Sequence, residues 1–554
     1  MSLIRRALFS RQLFRIPHAS IIPRARLVHV DATSTWQHFL KTYARCFTKK
    51  AARYLPFNVQ ALIDVATKAA AASECTSIEK LQDGTFNRVL ALRFDNDVEL
   101  IAKLPFPVAG PKHLCTASEV ATLDYLRTEV GIPVPIVRAW CSRAESSPVG
   151  IEYILYEKIP GVPLRQLDNA DLPLKEDPFM DVLMPIVTIE SCLNSAYFSQ
   201  IGSIYYKEDV AEPLQTRPLY PDWFMSEPNS ERFRIGPTVD REFWRAGRAA
   251  LDIDRGPWPD VKSWMLALAN CARASIANHP DEGFKAEYER LIAEYETLVP
   301  HIAPSEARLM LWHPDLYPRN IIVSETRPRR LNGIIDWQNA VVALYCFQLS
   351  IPPAYDFEGH PMVVYPEDGK KRPVLAKGID QLDDKAKRKA LIALRRAERK
   401  RVHELTLRAT DPKLAKSLYA WNGAAAFAAY ARPAAAITHG SEGLFVVPHS
   451  FLECRALHPF PLDISDAEAE RVEQQWAQAT RQLEEDEAIM RECGGDPETE
   501  GSVGVEEYDA VKRALDDAKA RALAAASTPE ERERIDRDWR WQDGQRSLSA
   551  ELCC

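Results

Sequence analysis

Residues 309–337, LMLWHPDLYPRNIIVSETRPRRLNGIIDW, constrain this chain more than any other stretch. Three apolar runs, Leu309–Trp312, Ile321–Val323 and Gly333–Ile335, read as short buried strands. The polar, Pro-containing segment Ser324–Arg330 turns the second back on the third as a hairpin. His313, Asp315 and Asn320 lie between the first two runs, spaced H-x-D-x-x-x-x-N, and Asp336 follows the third. Two carboxylates and an amide are thus held at the ends of buried strands. Metal-assisted phosphoryl transfer needs that set: one carboxylate to orient a hydroxyl, an Asn and a second carboxylate for Mg²⁺ on the phosphates.

A site of this kind also needs a group for the rest of the triphosphate. From Ile78 the apolar pattern takes strand period: Ile78–Leu81, Phe86–Phe94 and Val98–Leu104, with Asp95-Asn96-Asp97 as a hairpin turn. A helix over about Thr116–Glu129 and strands at Val134–Trp140 and Gly150–Glu157 follow, giving a small antiparallel sheet with one helix. Lys103 sits within the apolar run Leu100–Leu104, where an unpaired ammonium is costly. Glu119, early in the helix, is the natural partner, and such a pair steers the lysine onto nucleotide phosphates. The competing reading is a snorkelling lysine and an exposed glutamate; the downstream Asp–Asn–Asp set favours the pair. The turn Asp83-Gly84-Thr85-Phe86-Asn87 stands where amides would cover the phosphates. It carries one glycine, so it matches a Gly-rich loop weakly.

Pro160, Gly161 and Pro163 read as a hinge, and beyond it the composition becomes helical. Helices are expected at Asp181–Asn194, about 261–278 and 282–298, with a short strand at Ile201–Tyr206 and a Pro- and Trp-rich insertion over about 207–260. A charged helix over about Asp380–Leu407 is expected to bury Leu391, Ile392, Leu394 and Val402 and to hold its Lys and Arg in solvent. The boundaries read as a leader over 1–30, a helical lead-in over 31–76, a nucleotide-binding lobe over 77–158, a larger lobe over 159–460 and a charged helical tail over 461–554.

Six arginines precede the first acidic residue, Asp31, and Leu3, Ile4, Ala7, Leu8 and Phe9 form an apolar face: a mitochondrial transit peptide by pattern, which implies the import machinery as a partner. A net charge of -8 with no basic, aromatic-interleaved face argues against nucleic-acid binding. No apolar run of about 18 residues supports a transmembrane helix. The 11 cysteines show no C-x-x-C spacing and read as reduced thiols. Cys553-Cys554 do not form a C-a-a-X box, since Glu551 holds the fourth position from the end.

HPDLYPRN followed by IIDW resembles the catalytic and metal-binding motifs of the aminoglycoside phosphotransferase (phosphotransferase enzyme) family. DGTFNRVLALRF, IAKLPFP, SEVATLDYL and YILYEKIPGVPL are similar to that family's smaller lobe and hinge. With the Arg-rich leader, the chain looks most like the fungal subgroup called altered inheritance of mitochondria protein nine. The resemblance covers roughly 75–450 and implies an α+β, protein-kinase-like fold of two lobes. It also implies ATP and Mg²⁺ as cofactors and a small-molecule hydroxyl acceptor. Asp315 would be the catalytic base and His313 its buttress. Asn320 and Asp336 would hold Mg²⁺. Lys103, supported by Glu119, would bind phosphate beside the turn containing Gly84 and Asn87. Backbone groups near Glu157, Lys158 and Ile159 would take the adenine. The chain departs from the family at Arg319, where a small residue is usual, at Gln338, where Glu is common, and in the longer hairpin between Asn320 and Asp336. An acidic cluster for cationic aminoglycosides is not located. A nucleotide-binding pseudokinase or scaffold in mitochondrial maintenance is the alternative.

Overall fold

The apolar runs upstream of the hinge assemble into one five-stranded sheet. The structure is a computed structural model. It describes residues 54–539 apart from 82–83, 85, 170, 225–227, 246, 305–307, 358, 367–368, 421–432, 435, 439–445, 453, 455–459 and 495–507. The leader and the first half of the lead-in therefore lie outside the described residues. Strands β1 (Cys75–Lys80), β2 (Asn87–Phe94), β3 (Glu99–Pro105), β4 (Val137–Cys141) and β5 (Tyr153–Glu157) pair antiparallel in the order β1-β2-β3-β5-β4. β3 is central, which is why its residues 100–104 are all buried.

Period-2 alternation sends every second residue of β3 to one core. Leu100, Ala102 and Leu104 join Leu62 and Ala66 of helix α1 (Val59–Ala69) in one cluster. Asn58 caps α1 through Ala61 N, and Asn96 in the β2–β3 turn donates to Ala70 O at 2.9 Å. Helix α2 (Leu114–Tyr125) contributes Ala117, Ala121, Leu123 and Tyr125 to a much larger second cluster that runs through the rest of the chain. The small lobe is thus a sheet with a helix from the lead-in and a helix of its own.

Past the hinge lie β6 (Val162–Pro163), α3 (Leu183–Ser195), the hairpin β7 (Ser203–Tyr206) with β8 (Phe233–Gly236), α4 (Val261–Ile276) and α5 (Glu282–Ile302). Asp260 and Asp281 cap α4 and α5. Then come β9 (Leu309–Leu311), β10 (Ile321–Val323), β11 (Leu331–Ile334) and β12 (Val342–Leu344). They nest: β10 pairs with β11, while β9 reaches past them to β12. β10 also pairs with β6, Ile322 opposite Pro163 and Val323 opposite Val162. The fold is α+β and protein-kinase-like, a small antiparallel sheet joined by a hinge to a larger, mainly helical lobe. Among the described residues no helix is long and apolar enough to cross a membrane.

The charged helix, α6 (Asp384–Thr410), differs from its expected packing. Leu391 and Ile392 are exposed, whereas Ala390, Ala393 and Ala397 face inward. Arg399 is buried against Asp177 (2.7 Å) and Asp168 (2.7 Å), stacked over the Phe179 ring. Its carboxylate partners make that burial tolerable, and small alanines let the helix approach close enough to deliver the guanidinium. Leu394 and Val402 are half-buried against the core, so hydrophobicity alone places only half of the expected stripe.

Candidate active site

The sheet positions Lys103 by register. Lys103 lies opposite Val89 on β2 and Ile154 on β5, on the face turned toward α2. Its ammonium meets Glu119 at 2.7 and 2.9 Å and Asp336 at 2.9 Å. The lysine and Glu119 are buried, while the Asp336 side chain is 43% exposed and faces the cleft. Burial pulls the Lys103 pKa down, but the charges of Asp336 and Glu119 override it and raise it above the ordinary lysine value. Burial also raises Glu119, against the opposing pull of Lys103. Burial pushes Asp336 the same way, but there Lys103 prevails and holds the carboxyl below its ordinary value. Lys103 is therefore a firm cation shared by two carboxylates from different lobes.

The loop between β9 and β10 carries the H-x-D-x-x-x-x-N motif. His313 is buried, its ring edge-on to Trp337 at 4.4 Å. Asp315 N donates to His313 Nδ1 at 2.9 Å, so the imidazole is the Nε2–H tautomer and donates to Ile335 O at 3.0 Å. One histidine thereby fixes both the backbone at Asp315 and the strand end before Asp336. Asn320 Nδ2 donates to Asp315 O at 2.8 Å, closing the loop from its other end. Arg319 pairs with the Asp315 carboxylate and lies over the Tyr317 ring at 4.6 Å. Burial raises the Asp315 pKa, with Arg319 opposing.

Asp336 itself adopts φ +67°, an uncommon conformation for a residue with a side chain. The donor set suits a hard divalent cation. Asn320 uses its amide nitrogen within the loop, which leaves Oδ1 outward, and Lys103 engages only Oδ1 of Asp336. Both remaining oxygens have no hydrogen-bond partner among the described residues. Mg²⁺ takes one or two such ligands plus phosphate oxygens and water, so a two-residue set fits it.

The remaining expected residues divide. Among the described residues, Ile159 at the hinge makes no backbone hydrogen bond, which leaves its N–H and C=O for a ligand. Glu157 accepts from Arg138 Nε at 2.7 Å through its side chain, and Lys158 N donates to Glu99 O. Gly84 N donates to Asn87 O at 3.0 Å, which tightens the turn. Asn87 is not displayed toward the cleft: it is buried and donates to Gln338 Oε1 at 2.6 Å, and Gln338 Nε2 reaches Cys115 Sγ at 3.3 Å. A carboxylate in place of Gln338 could not donate to Cys115, which accounts for the amide at this position.

Two arrangements have no clear sequence signal. One is the direct Lys103–Asp336 contact, between residues 233 apart. The other is the hold of the 207–260 insertion on α2. Arg232 pairs with Asp124, Tyr206 Oη donates to Asp124 at 2.9 Å, and Phe233 packs edge-on to Tyr125. Arg241 lies over Phe86 at 4.0 Å, next to the turn at Gly84. The alternation at Tyr205, Tyr206, Phe233 and Ile235 marks a hairpin but names no partner.

Burial lowers the His313 pKa from 6.5 to about 4. The folded state therefore binds this proton less readily than the unfolded chain, and stability falls as pH drops from the unfolded value toward the folded one. The loss should be on the order of 3 kcal/mol across that window. Urea midpoints at pH 7 and 4.5 should converge in His313→Gln relative to wild type. An equal acid loss in both would show that His313 is not the group responsible.

Residues 244–391 match the model of the phosphotransferase enzyme family. A subtelomeric hrmA-associated cluster protein of Aspergillus fumigatus is 33% identical over 322 residues, 50% of this chain and 60% of that protein. Altered inheritance of mitochondria protein 9, mitochondrial, of Saccharomyces cerevisiae is 26% identical over 384 residues, 62% of this chain and 58% of that protein. The chain thus spans about six-tenths of the length of these relatives. The GDP complex of an aminoglycoside 2'-phosphotransferase-IIIa mutant aligns at 13% identity and TM-score 0.30, covering 72% of this chain and 97% of that one. The fold rests on the topology described above rather than on that score.

Proposed function

We propose that this chain, which carries a phosphotransferase enzyme family domain, transfers the γ-phosphoryl group of ATP to a hydroxyl of a small molecule in mitochondria. One observation carries the reading: a buried lysine of the small lobe bonds at once to the helix glutamate and to the aspartate that follows the catalytic hairpin. A drifted fold has no reason to keep that three-residue contact beside an intact Asp315 and Asn320.

Lys103 holds the phosphates, and Glu119 keeps its ammonium aimed. Asn320 and Asp336 hold Mg²⁺, which supplies charge neutralisation on the phosphates. Asp315 accepts the acceptor's hydroxyl proton as that oxygen bonds to the γ-phosphorus and the bridging P–O bond breaks toward ADP. His313 touches no reacting atom; it positions Asp315 and the strand end before Asp336.

Thermal shift tests the nucleotide half of this reading. Wild type should gain stability from ATP only with Mg²⁺, and Asp336→Ala should lose the gain; no gain in wild type would sink it. The Arg-rich leader and the relatives' printed name support the mitochondrial assignment. A fluorescent fusion lacking residues 1–30 should lose mitochondrial import, and retained import would refute that assignment. The pairing of Asp315 with Arg319 favours a second reading, a nucleotide-binding scaffold whose base is permanently neutralised.

A further inference from the structure

We propose that Arg319 selects acceptors that carry an anionic group, phosphate or carboxylate, beside the hydroxyl to be phosphorylated. This rests on the phosphotransferase reading above and names the substrate class of the same site. Arg319 reaches the base from its own loop, four residues on, and its side chain is 31% exposed over Tyr317. While the guanidinium holds Asp315 Oδ2, that oxygen is not open to the acceptor's hydroxyl. A planar anion on the acceptor offers the guanidinium a second bidentate partner, drawing it off Asp315. Binding the right acceptor then restores the base, whereas a neutral polyol leaves the ion pair in place. An amino sugar brings a further cation against Arg319 and is repelled.

Other charges around the loop support the same sign. Arg165 donates its backbone N–H to Pro318 O at 3.1 Å, beside Arg319. Its exposed guanidinium has no side-chain partner among the described residues. Two of the three hairpin arginines are committed elsewhere: Arg327 and Arg329 both hold Asp181, at 2.8 and 3.0 Å. Arg165 thus adds an exposed cation on the segment whose backbone pairs with the β9–β10 loop next to Arg319.

The test uses the full chain with Mg²⁺ and ATP, after the thermal shift above has established nucleotide binding. Four acceptor pools are offered: sugar phosphates, hydroxy acids, neutral polyols and amino sugars. Transfer from labelled ATP should favour one of the two anionic pools, and which one identifies the anion. Arg319→Gln should raise KM for that pool about tenfold or more, with a smaller change in kcat, and Arg319→Lys should recover part of the loss. With a non-hydrolysable ATP analogue, glycerol 3-phosphate or glycerate should stabilise wild type against heat and not Arg319→Gln. Preference for neutral or amino-sugar pools overturns the proposal. So does nucleotide binding with neither transfer to nor binding of an anionic compound. Weakened ATP binding in Arg319→Gln with unchanged acceptor preference places the guanidinium on the nucleotide and likewise overturns it. Failure of ATP itself to bind instead removes the underlying reading.

Discussion

Asp315→Asn should lower phosphoryl transfer by roughly 10²–10⁴-fold while leaving Mg²⁺-dependent ATP binding in place. The substitution keeps the shape of the side chain and its place in the loop, because the loop is held mainly by other groups. His313 Nδ1 takes the backbone N–H of residue 315, and Asn320 takes its carbonyl, neither of which involves the carboxylate. What is lost is the group that accepts the hydroxyl proton. ATP binding depends on Lys103, Asn320 and Asp336 in this reading, so the thermal shift should survive. Undiminished transfer in Asp315→Asn would remove Asp315 as base. Loss of both transfer and ATP binding would make it structural.

Lys103→Met should be worse for the fold than for any surface position. It strands Glu119, whose side chain is 4% exposed, and deprives Asp336 of its cation. Breaking a buried pair by removing one partner costs roughly 3–5 kcal/mol, since the remaining charge has no solvent. Denaturant midpoints should report that loss, and ATP should no longer stabilise the protein. Lys103→Met with Glu119→Met should regain much of the stability, because the stranded carboxylate is gone, yet still not bind ATP. Wild-type stability in the single variant would mean that the pair does not shape the cleft. Recovery of ATP binding in the double variant would mean that Lys103 is not a phosphate ligand.

The sheet, the hairpin and the placement of Lys103 and Asp336 were legible because each rests on a local pattern. Lys103 interrupts an apolar strand, and Asp336 ends one. Glu119 follows from helical phase once the strand lysine demands a partner. Other features depend on contacts between distant segments. Asn87 reads as part of a phosphate turn, yet its side chain is spent on Gln338, 251 residues away. Leu391 and Ile392 read as core and are exposed, because buried Arg399 and its aspartates decide the face of α6. Arg319 was visible as an oddity of the motif, but its contact with Asp315 depends on side-chain direction within one loop.

The clasp of β7 and β8 on α2 also sets an order of events. A chain made from its amino terminus exposes the Asp124 and Tyr125 face of that helix for about eighty residues of synthesis, until Tyr206 arrives, and for longer until Arg232 and Phe233 do. Asp336 comes later still, so the lysine at the centre of the small lobe stays without its second carboxylate until most of the larger lobe has emerged. A fragment ending at the hinge would present that apolar helix face to whatever holds nascent or translocating chains, and chaperone dependence should end only once the insertion has passed.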